Sequence, residues 1–210
     1  MQTPHTIFID WYKTLSSSLF WGQWADPDHV RHSYDAKLAQ WLFKENRFIT
    51  NDWMRGKFSS EDISTRLGKA LGVDPHIILN DLEESCRKMT FNDSRFLKII
   101  SNIRNKGIRV VIATDNMDTF RRYTLPGLKL DRYFDDFLIS CEVGSLKEDF
   151  RKGNSDFFAN YLKCHNIEFK DTVLIDDAAD PEEYQCSLGL PVIKISTAAS
   201  VVFALEKYVR

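Results

Sequence analysis

Short runs of apolar and β-branched residues recur along the chain. Each run is followed by turn residues and then by a segment whose apolar residues lie three or four positions apart. This alternation is typical of parallel strands joined by crossover helices. It predicts five strands, at residues 6–10, 109–113, 136–140, 172–175 and 192–195. The fold class is therefore predicted to be α/β, with a doubly wound parallel sheet.

The predicted strands are unevenly spaced. Almost 100 residues separate the first from the second, whereas later strands follow at intervals of about 20–35 residues, which suits single crossover units. Helical periodicity fills the long gap and predicts four helices, at residues 28–46, 49–57, 60–71 and 75–89. We therefore expect a small helical cap subdomain at residues 16–91, inserted into an α/β core domain of residues 1–15 and 92–210.

Capping signals support the last two of these helices. Ser59 and the acidic residues after it suit the start of one helix, and Asp74 precedes a proline at the first position of the next. Gly72 suits the left-handed conformation that often ends a helix. Beyond the insertion, the pattern predicts a crossover helix at residues 92–106 and a final helix at residues 198–209.

Composition narrows the classes of function. The 210 residues include 28 basic and 30 acidic side chains, and this net charge of −2 provides no broad positive field for nucleic acid or an anionic membrane. The four cysteines lack metal-ligand spacing and are interpreted as reduced thiols. No apolar run approaches the ~20 residues that cross a bilayer, and no signal peptide is evident, so a cytoplasmic protein is expected.

Polar residues that could carry chemistry follow the predicted strands, at the carboxyl ends where ligands bind to open parallel sheets. They are Asp10 after the first strand, Thr114, Asp115 and Asn116 after the second, Lys147 after the third, and Asp176 and Asp177 after the fourth. Because these strand ends share one rim of the sheet, we expect the side chains to converge.

These residue types suit attack on a phosphoryl group or an activated carbon. The carboxylate of Asp10 could displace a leaving group and form a covalent intermediate that water then hydrolyses. Thr114 could donate a hydrogen bond to the transferring group, and Lys147 could balance the charges of the nucleophile and an anionic substrate.

The same rim of the sheet has the residues to bind a divalent cation. Asp176 and Asp177 offer hard oxygen ligands. Together with Asp10 and a main-chain carbonyl near Tyr12, they could hold Mg²⁺, which prefers a few carboxylates together with water and phosphate. Asp180 is a further candidate, either as a metal ligand or as the cap of the following helix.

At these four places, and in the helical insertion after the first, the chain resembles the haloacid dehalogenase-like (HAD) hydrolase superfamily. The resemblance extends over nearly the whole chain. It implies a Rossmann-like core with a helical cap, a small-molecule substrate and Mg²⁺ as the cofactor. It implies catalytic roles for Asp10, Tyr12, Thr114 and Lys147, substrate contacts from Thr114, Asp115, Asn116 and Trp11, and metal ligation by Asp10, Tyr12, Asp176 and Asp177.

Tyr12 departs from the superfamily's phosphatases, which usually carry a second aspartate here as general acid and base. Because tyrosine ordinarily titrates at a pKa near 10, it is a poor base at neutral pH. A tyrosine at this position resembles the superfamily's 2-haloacid dehalogenases, which need no metal. However, Asp176 and Asp177 would repel an anionic substrate unless a cation lay between them. Lys13 also departs from the superfamily's pattern, in which a glycine is common at this position.

Three functions therefore stay open. The first is a Mg²⁺-dependent phosphatase that acts on a phosphorylated metabolite through an aspartyl-phosphate on Asp10. The second is a weak or inactive HAD-fold protein that binds a phosphorylated ligand or another protein. The third is a metal-independent 2-haloacid dehalogenase.

Some of these residues could have a structural role instead of a role in catalysis or binding. Thr114 could cap a turn, and Lys152 is a second candidate for the role of Lys147. Trp11 belongs to an aromatic cluster that could stack on a substrate ring or pack the insertion against the core. The other members of this cluster are Phe20, Trp21 and Trp24.

Overall fold

The computed structural model describes residues 3–151 and 153–209. Its strands, numbered in chain order, are β1 (Thr6–Ile9), β2 (Arg109–Thr114), β3 (Asp136–Ile139), β4 (Phe150–Arg151), β5 (Asn154–Ser155), β6 (Thr172–Asp176) and β7 (Val192–Lys194). Five of them form a parallel sheet in the order β3-β2-β1-β6-β7, while β4 and β5 pair as a short antiparallel hairpin.

The predicted doubly wound α/β fold is confirmed, and each of the five predicted strands is present within one residue of its predicted bounds. β1 lies in the middle of the sheet and pairs with β2 on one side and β6 on the other. The register sets Ile9 beside Ile112 and Ile175. The loops after these three strands therefore leave the sheet at nearly the same level.

Successive side chains of β1 point to opposite faces of the sheet, where they join two separate apolar clusters. Ile7 and Ile9 join the cluster that includes helix α5 (Phe96–Arg104), helix α10 (Ala198–Glu206) and the inserted segment. Phe8 joins the opposite cluster. Each fully buried side chain of this size contributes roughly 1.5–3 kcal/mol. Both faces of the sheet are therefore covered, as a parallel sheet requires.

Four helices form most of the inserted segment: α1 (Asp35–Gln40), α2 (Arg47–Met54), α3 (Ser60–Leu71) and α4 (Pro75–Arg87). A 3-10 turn at Gly22–Ala25 precedes them. The Ser59 hydroxyl and the Asp62 carboxylate complete a capping box at the start of α3, and the Asp74 carboxylate caps α4. The predicted starts of these two helices are therefore confirmed.

The predicted helix at residues 28–46 is wrong as a single helix. The structure instead has a 3-10 turn (His32–Tyr34), then α1, then a π-helical turn (Trp41–Glu45). Side chains here take main-chain groups away from helical hydrogen bonds. The carboxylate of Asp26 accepts a hydrogen bond from the amide of Asp28, and the imidazole of His32 bonds to the carbonyl of Trp24.

The remaining helices are α6 (Leu125–Leu128), α7 (Ser140–Val143), α8 (Asp156–His165) and α9 (Pro181–Leu188). Helices α8 and α9 cover the face of the sheet on which Phe8 lies. The hairpin of β4 and β5 escaped prediction because two-residue strands show no periodicity. Every helix among the described residues is too short or too polar to traverse a lipid bilayer.

Candidate active site

Three of the predicted site residues follow adjacent strands in the middle of the sheet. Asp10 comes directly after β1, Thr114 ends β2 and Asp176 ends β6. The amide of Asp10 donates a hydrogen bond to the carbonyl of Ile175 at 2.9 Å, which extends the pairing of β1 with β6 by one residue. All three side chains are buried, so the site lies inside the rim of the sheet rather than on its surface.

Lys147 reaches this rim from the loop after β3. Its ammonium Nζ lies 2.7 Å from Oδ1 of Asp10 and also bonds to Oδ2 of Asp176. The lysine is only 6% exposed. One ammonium therefore links the ends of two strands and lies beside Asp10. Lys152, the alternative lysine, lies outside the described residues.

The loop that carries Lys147 is held by two further carboxylates. Oδ1 of Asp115 accepts a hydrogen bond from the amide of Lys147 at 2.9 Å. Oδ2 of Asp149 accepts one from the amide of Leu146 at 2.9 Å. These bonds fix the main chain that leads into Lys147, whose ammonium contacts Asp10. Asp115 therefore has a positioning contact, and its predicted substrate contact stays a prediction.

Burial dominates the electrostatics of this cluster. It raises the pKa of Asp10 to about 7, although the ammonium of Lys147 opposes this shift. Burial disfavours charge on Lys147 as well, but the carboxylates of Asp10 and Asp176 outweigh it and hold the lysine pKa well above its usual value. Asp176 is also buried, yet Lys147 and two main-chain amides keep its pKa below the usual range. Lys147 is therefore a permanent cation.

Asp10, Asp176 and Asp177 form the one group of acidic, histidine or cysteine side chains within residues 3–151 and 153–209 that could hold a metal ion. One carboxylate oxygen from each lies within 4.8 Å of the others. Three hard oxygens at this separation suit a small divalent cation such as Mg²⁺. Oδ1 of Asp176 also accepts hydrogen bonds from the amides of Ala178 and Ala179, which orients its other oxygen toward the site.

Asp180 lies apart from this group. Its carboxylate caps helix α9 by accepting a hydrogen bond from the amide of Glu183 at 2.9 Å. Of the two roles that the sequence left open for Asp180, the structure displays the helix cap.

Asn116 has a local structural contact. Its side-chain oxygen accepts a hydrogen bond from the main-chain N–H of Met117. Its main-chain N–H donates a hydrogen bond to the hydroxyl of Ser140 at 2.9 Å. These bonds join the loop after β2 to the start of helix α7 and so hold Thr114 and Asp115 against the rim. A substrate contact from Asn116 stays a prediction.

The turn after Asp10 has an unusual main chain. The carbonyl of Trp11 accepts hydrogen bonds from the amides of Leu15 and Ser16, and Lys13 adopts a φ of 60°, in the left-handed region. Glycine adopts this conformation without strain because it has no Cβ, so the main chain at Lys13 favours a glycine. The side chain of Tyr12 is 42% exposed, unlike the buried side chains of Asp10 and Asp176, and its predicted catalytic role stays a prediction.

Replacing Lys13 by glycine is expected to stabilise the fold. The left-handed conformation costs a residue with a Cβ roughly 1–2 kcal/mol, part of which glycine loses again through its greater freedom in the unfolded chain. We expect Lys13→Gly to raise the free energy of unfolding in urea by about 0.5–1 kcal/mol. Lys69→Gly, inside helix α3, should instead lower it by about 1 kcal/mol. A loss of stability in Lys13→Gly would contradict this explanation.

Trp11 lies in the apolar core and not at an opening for substrate. It is 1% exposed and makes edge-to-face contacts with Phe91 and Phe120. The indole rings of Trp21 and Trp24 are fully buried as well. Trp11 therefore packs between Phe91 of the insertion and Phe120 of the core, whereas the rings of Trp21 and Trp24 pack within the insertion. The prediction that the Trp11 side chain binds substrate is wrong in this structure.

The polar contacts between the insertion and the core could not be predicted from the sequence. Asp118, which follows β2, accepts hydrogen bonds from the indole of Trp53 at 3.0 Å and the hydroxyl of Ser60 at 2.6 Å. Arg122 bonds to both Asp118 and Glu61. Partners some 60 residues apart leave no local signal in a sequence.

A second contact of this kind lies close to Lys147. The guanidinium of Arg55 makes two hydrogen bonds to the carboxylate of Asp149, at 2.8 and 2.6 Å. Asp149 in turn holds the amide of Leu146. The insertion is therefore connected to the loop that carries Lys147.

Three solved structures show how this arrangement compares with known proteins. A protein described as a predicted HAD-like family hydrolase from Porphyromonas gingivalis is 17% identical, with a TM-score of 0.72 over 100% of this chain and 99% of the other. L-2-haloacid dehalogenase from Xanthobacter autotrophicus, with chloropropionic acid covalently bound, is 11% identical, with a TM-score of 0.61 over 92% and 78%. A HAD family enzyme from Bacteroides thetaiotaomicron, in complex with magnesium and inorganic phosphate, is 16% identical, with a TM-score of 0.62 over 91% and 93%.

The chain therefore has the fold of the HAD-like hydrolases, and the resemblance predicted from the sequence is confirmed at the level of the fold. Comparisons with protein-family models and with curated proteins found no match. Because the structural neighbours include a dehalogenase as well as an enzyme with magnesium and phosphate, the reaction has to be argued from the site.

Proposed function

We propose that this protein is a HAD-like hydrolase that removes phosphate from a small phosphorylated metabolite, with Mg²⁺ as cofactor and Asp10 as nucleophile. One observation carries the proposal: carboxylate oxygens of Asp10, Asp176 and Asp177 lie within 4.8 Å of one another. Such a group would repel an anionic substrate unless a cation lay among the carboxylates, and Mg²⁺ together with a phosphate ester satisfies that condition. A cytoplasmic location stays a prediction.

The reaction proceeds in two displacements. Oδ of Asp10 attacks phosphorus, the bond to the leaving oxygen breaks, and that oxygen takes a proton from water. A second water then attacks the same phosphorus and gives a proton to the hydroxide that the first water left. The bond between phosphorus and Asp10 breaks, which releases inorganic phosphate and restores the Asp10 carboxylate. Lys147, 2.7 Å from Asp10, balances the charge of the transferring phosphoryl group. Thr114 is proposed to donate a hydrogen bond to that group.

The metal is proposed to bind Asp10, Asp176, Asp177 and the main-chain carbonyl of Tyr12. Bound there, it supplies positive charge to the phosphoryl oxygens. Because Tyr12 supplies no carboxylate where the superfamily's phosphatases usually carry a second aspartate, we propose that water takes over proton transfer. We therefore expect a slow enzyme. Its activity should appear as hydrolysis of a generic aryl phosphate that requires added Mg²⁺.

The metal ligands can be tested by direct binding. Asp177→Asn removes one carboxylate of the proposed metal group and is expected to weaken Mg²⁺ binding about tenfold or more in calorimetry. Asp180→Asn is the matched control, because it removes the same charge three residues further along the chain. Asp180 caps helix α9, and asparagine is a good cap as well. Equal weakening in both variants would indicate a general field effect and would count against Asp177 as a ligand.

Two other functions have specific support. Tyr12 in place of the second aspartate favours a protein that binds a phosphorylated ligand with little or no turnover. Absence of hydrolysis over a broad panel of phosphate esters, despite Mg²⁺ binding, would select this alternative. The likeness to L-2-haloacid dehalogenase supports a third function, which predicts chloride release from a 2-chloro acid without added metal.

A further inference from the structure

The end of helix α2 lies directly against the main chain of the core. Gly56, two residues after this helix, has a φ of 74°, a left-handed value that suits glycine. A Cβ at this position would overlap the carbonyl oxygen of Cys141, which belongs to helix α7. The insertion therefore contacts the part of the core that leads from β3 to Lys147, and Arg55 lies beside that part.

Arg55 makes a bidentate contact with the loop that carries Lys147. Its Nε and Nη2 atoms donate hydrogen bonds to Oδ2 and Oδ1 of Asp149, at 2.8 and 2.6 Å. The same Oδ2 accepts a hydrogen bond from the amide of Leu146 at 2.9 Å. One carboxylate oxygen therefore joins the guanidinium of the insertion to the main chain of the residue before Lys147. Planar pairing of this kind fixes the orientation of both partners.

A turn connects this contact to Lys147. The amide of Asp149 donates a hydrogen bond to the carbonyl of Leu146 at 3.0 Å, so hydrogen bonds close the turn at both ends. Lys147 is the second residue of the turn, and its amide bonds to Oδ1 of Asp115 at 2.9 Å. Its buried ammonium lies 2.7 Å from Oδ1 of Asp10. A shift of the turn is therefore expected to move the ammonium relative to the nucleophile.

The carboxylate of Asp149 depends on Arg55 for its orientation. The side chain of Asp149 is 37% exposed, and its hydrogen bonds to Arg55 are the main cause of its lowered pKa. Hydrogen bonds to Asp149 also raise the pKa of Arg55, with a smaller contribution from the charge of Asp115. The guanidinium therefore lies in the field of both carboxylates that hold the loop.

We propose that Arg55 is a positioning residue that holds Lys147 against Asp10 through Asp149. The insertion would in this way fix the geometry of a site whose charged groups belong to the core. The effect on catalysis rests on the proposed phosphatase function, whereas the effect on the loop can be measured without turnover. Because a single ion pair at the surface adds little to stability, loss of Arg55 should alter the loop and the rate more than the folding.

The first measurement is amide hydrogen exchange of the ¹⁵N-labelled full-length protein without Mg²⁺, observed by NMR. Arg55→Gln should speed exchange at Leu146 and Lys147 about tenfold or more, because the turn that contains them opens more often. Arg95→Gln is the matched control. Arg95 makes a similar bidentate contact with Asp93 at the surface, and its loss should leave exchange at these two amides unchanged.

The second measurement is steady-state hydrolysis of an aryl phosphate with saturating Mg²⁺. Arg55→Gln should lower kcat about tenfold and leave KM nearly unchanged, since the guanidinium acts on Lys147 and not on the substrate. Arg55→Lys keeps the charge without the planar fork and should recover only part of the rate. In an Asp149→Ala background, Arg55→Gln should cause no further loss, because the connection to the turn is already broken. Arg95→Gln should keep the full rate.

Failure of this proposal can be distinguished from failure of the phosphatase function. Unchanged exchange at Leu146 and Lys147 in folded Arg55→Gln overturns the proposal, whether or not the protein hydrolyses phosphate esters. If the wild type is active, an unchanged kcat also overturns it, as does a loss of rate that matches the unfolded fraction measured in urea. If the wild type is inactive, the phosphatase function fails, while faster exchange in Arg55→Gln alone still supports the role of Arg55 in holding the loop.

Discussion

Asp10→Asn is expected to abolish the Mg²⁺-dependent hydrolysis of an aryl phosphate, with a loss on the order of 10³–10⁶-fold in kcat. The neutral amide cannot attack phosphorus as the carboxylate does, and it also removes one ligand of the proposed metal group. The measurement is the steady-state release of the aryl alcohol, with saturating Mg²⁺ and with the metal chelated.

Two controls accompany this variant. Asp131→Asn makes the same chemical change at an exposed position and should keep the full rate. A urea unfolding curve for Asp10→Asn establishes that the variant is folded, since the substitution leaves Lys147 paired with Asp176 alone. Retention of more than about a tenth of the rate in folded Asp10→Asn would exclude Asp10 as the nucleophile.

Lys147→Met is expected to destabilise the fold by about 3–5 kcal/mol at neutral pH. The substitution keeps the volume of the side chain but removes the buried cation that pairs with Asp10 and Asp176, so two carboxylates are left buried close together without compensation. The measurement is the free energy of unfolding in urea.

The pH dependence of this loss follows from Asp10. Its pKa is about 7 in the folded protein, above the ordinary value of 3.8, and removing Lys147 raises it further. A carboxyl whose pKa is raised by folding favours the folded state at low pH, and that contribution is lost as the pH rises through the folded pKa. The deficit of Lys147→Met should therefore be larger at about pH 8 than at about pH 5.

A matched lysine and a double variant complete the test. Lys170 pairs with Glu168 at the surface, where both side chains are more than two thirds exposed, so Lys170→Met should leave the free energy of unfolding nearly unchanged. Adding Asp10→Asn to Lys147→Met should restore part of the lost stability. If Lys147→Met costs less than about 1 kcal/mol, Lys147 does not compensate the two buried carboxylates.

Local patterns were sufficient for the sheet. The five strands could be predicted within one residue, because a strand buried on both faces is a short continuous run of apolar residues. The starts of helices α3 and α4 could be predicted as well, since capping side chains lie next to the positions that they cap. The segment at residues 28–46 could not, because the imidazole of His32 bonds to the carbonyl of Trp24 and no periodicity encodes that bond.

The sequence by itself determined the parallel sheet, the place of Asp10, Thr114 and Asp176 after its strands, and the departure at Tyr12. Only the tertiary structure decided that Lys147 bonds to both Asp10 and Asp176, that Trp11 is buried, and that Asp180 caps a helix. The physical reason is the range of the interactions. Strand periodicity and helix caps act between near neighbours, whereas the ammonium of Lys147 meets Asp10 across 137 positions of the chain, and only the folded sheet brings them together.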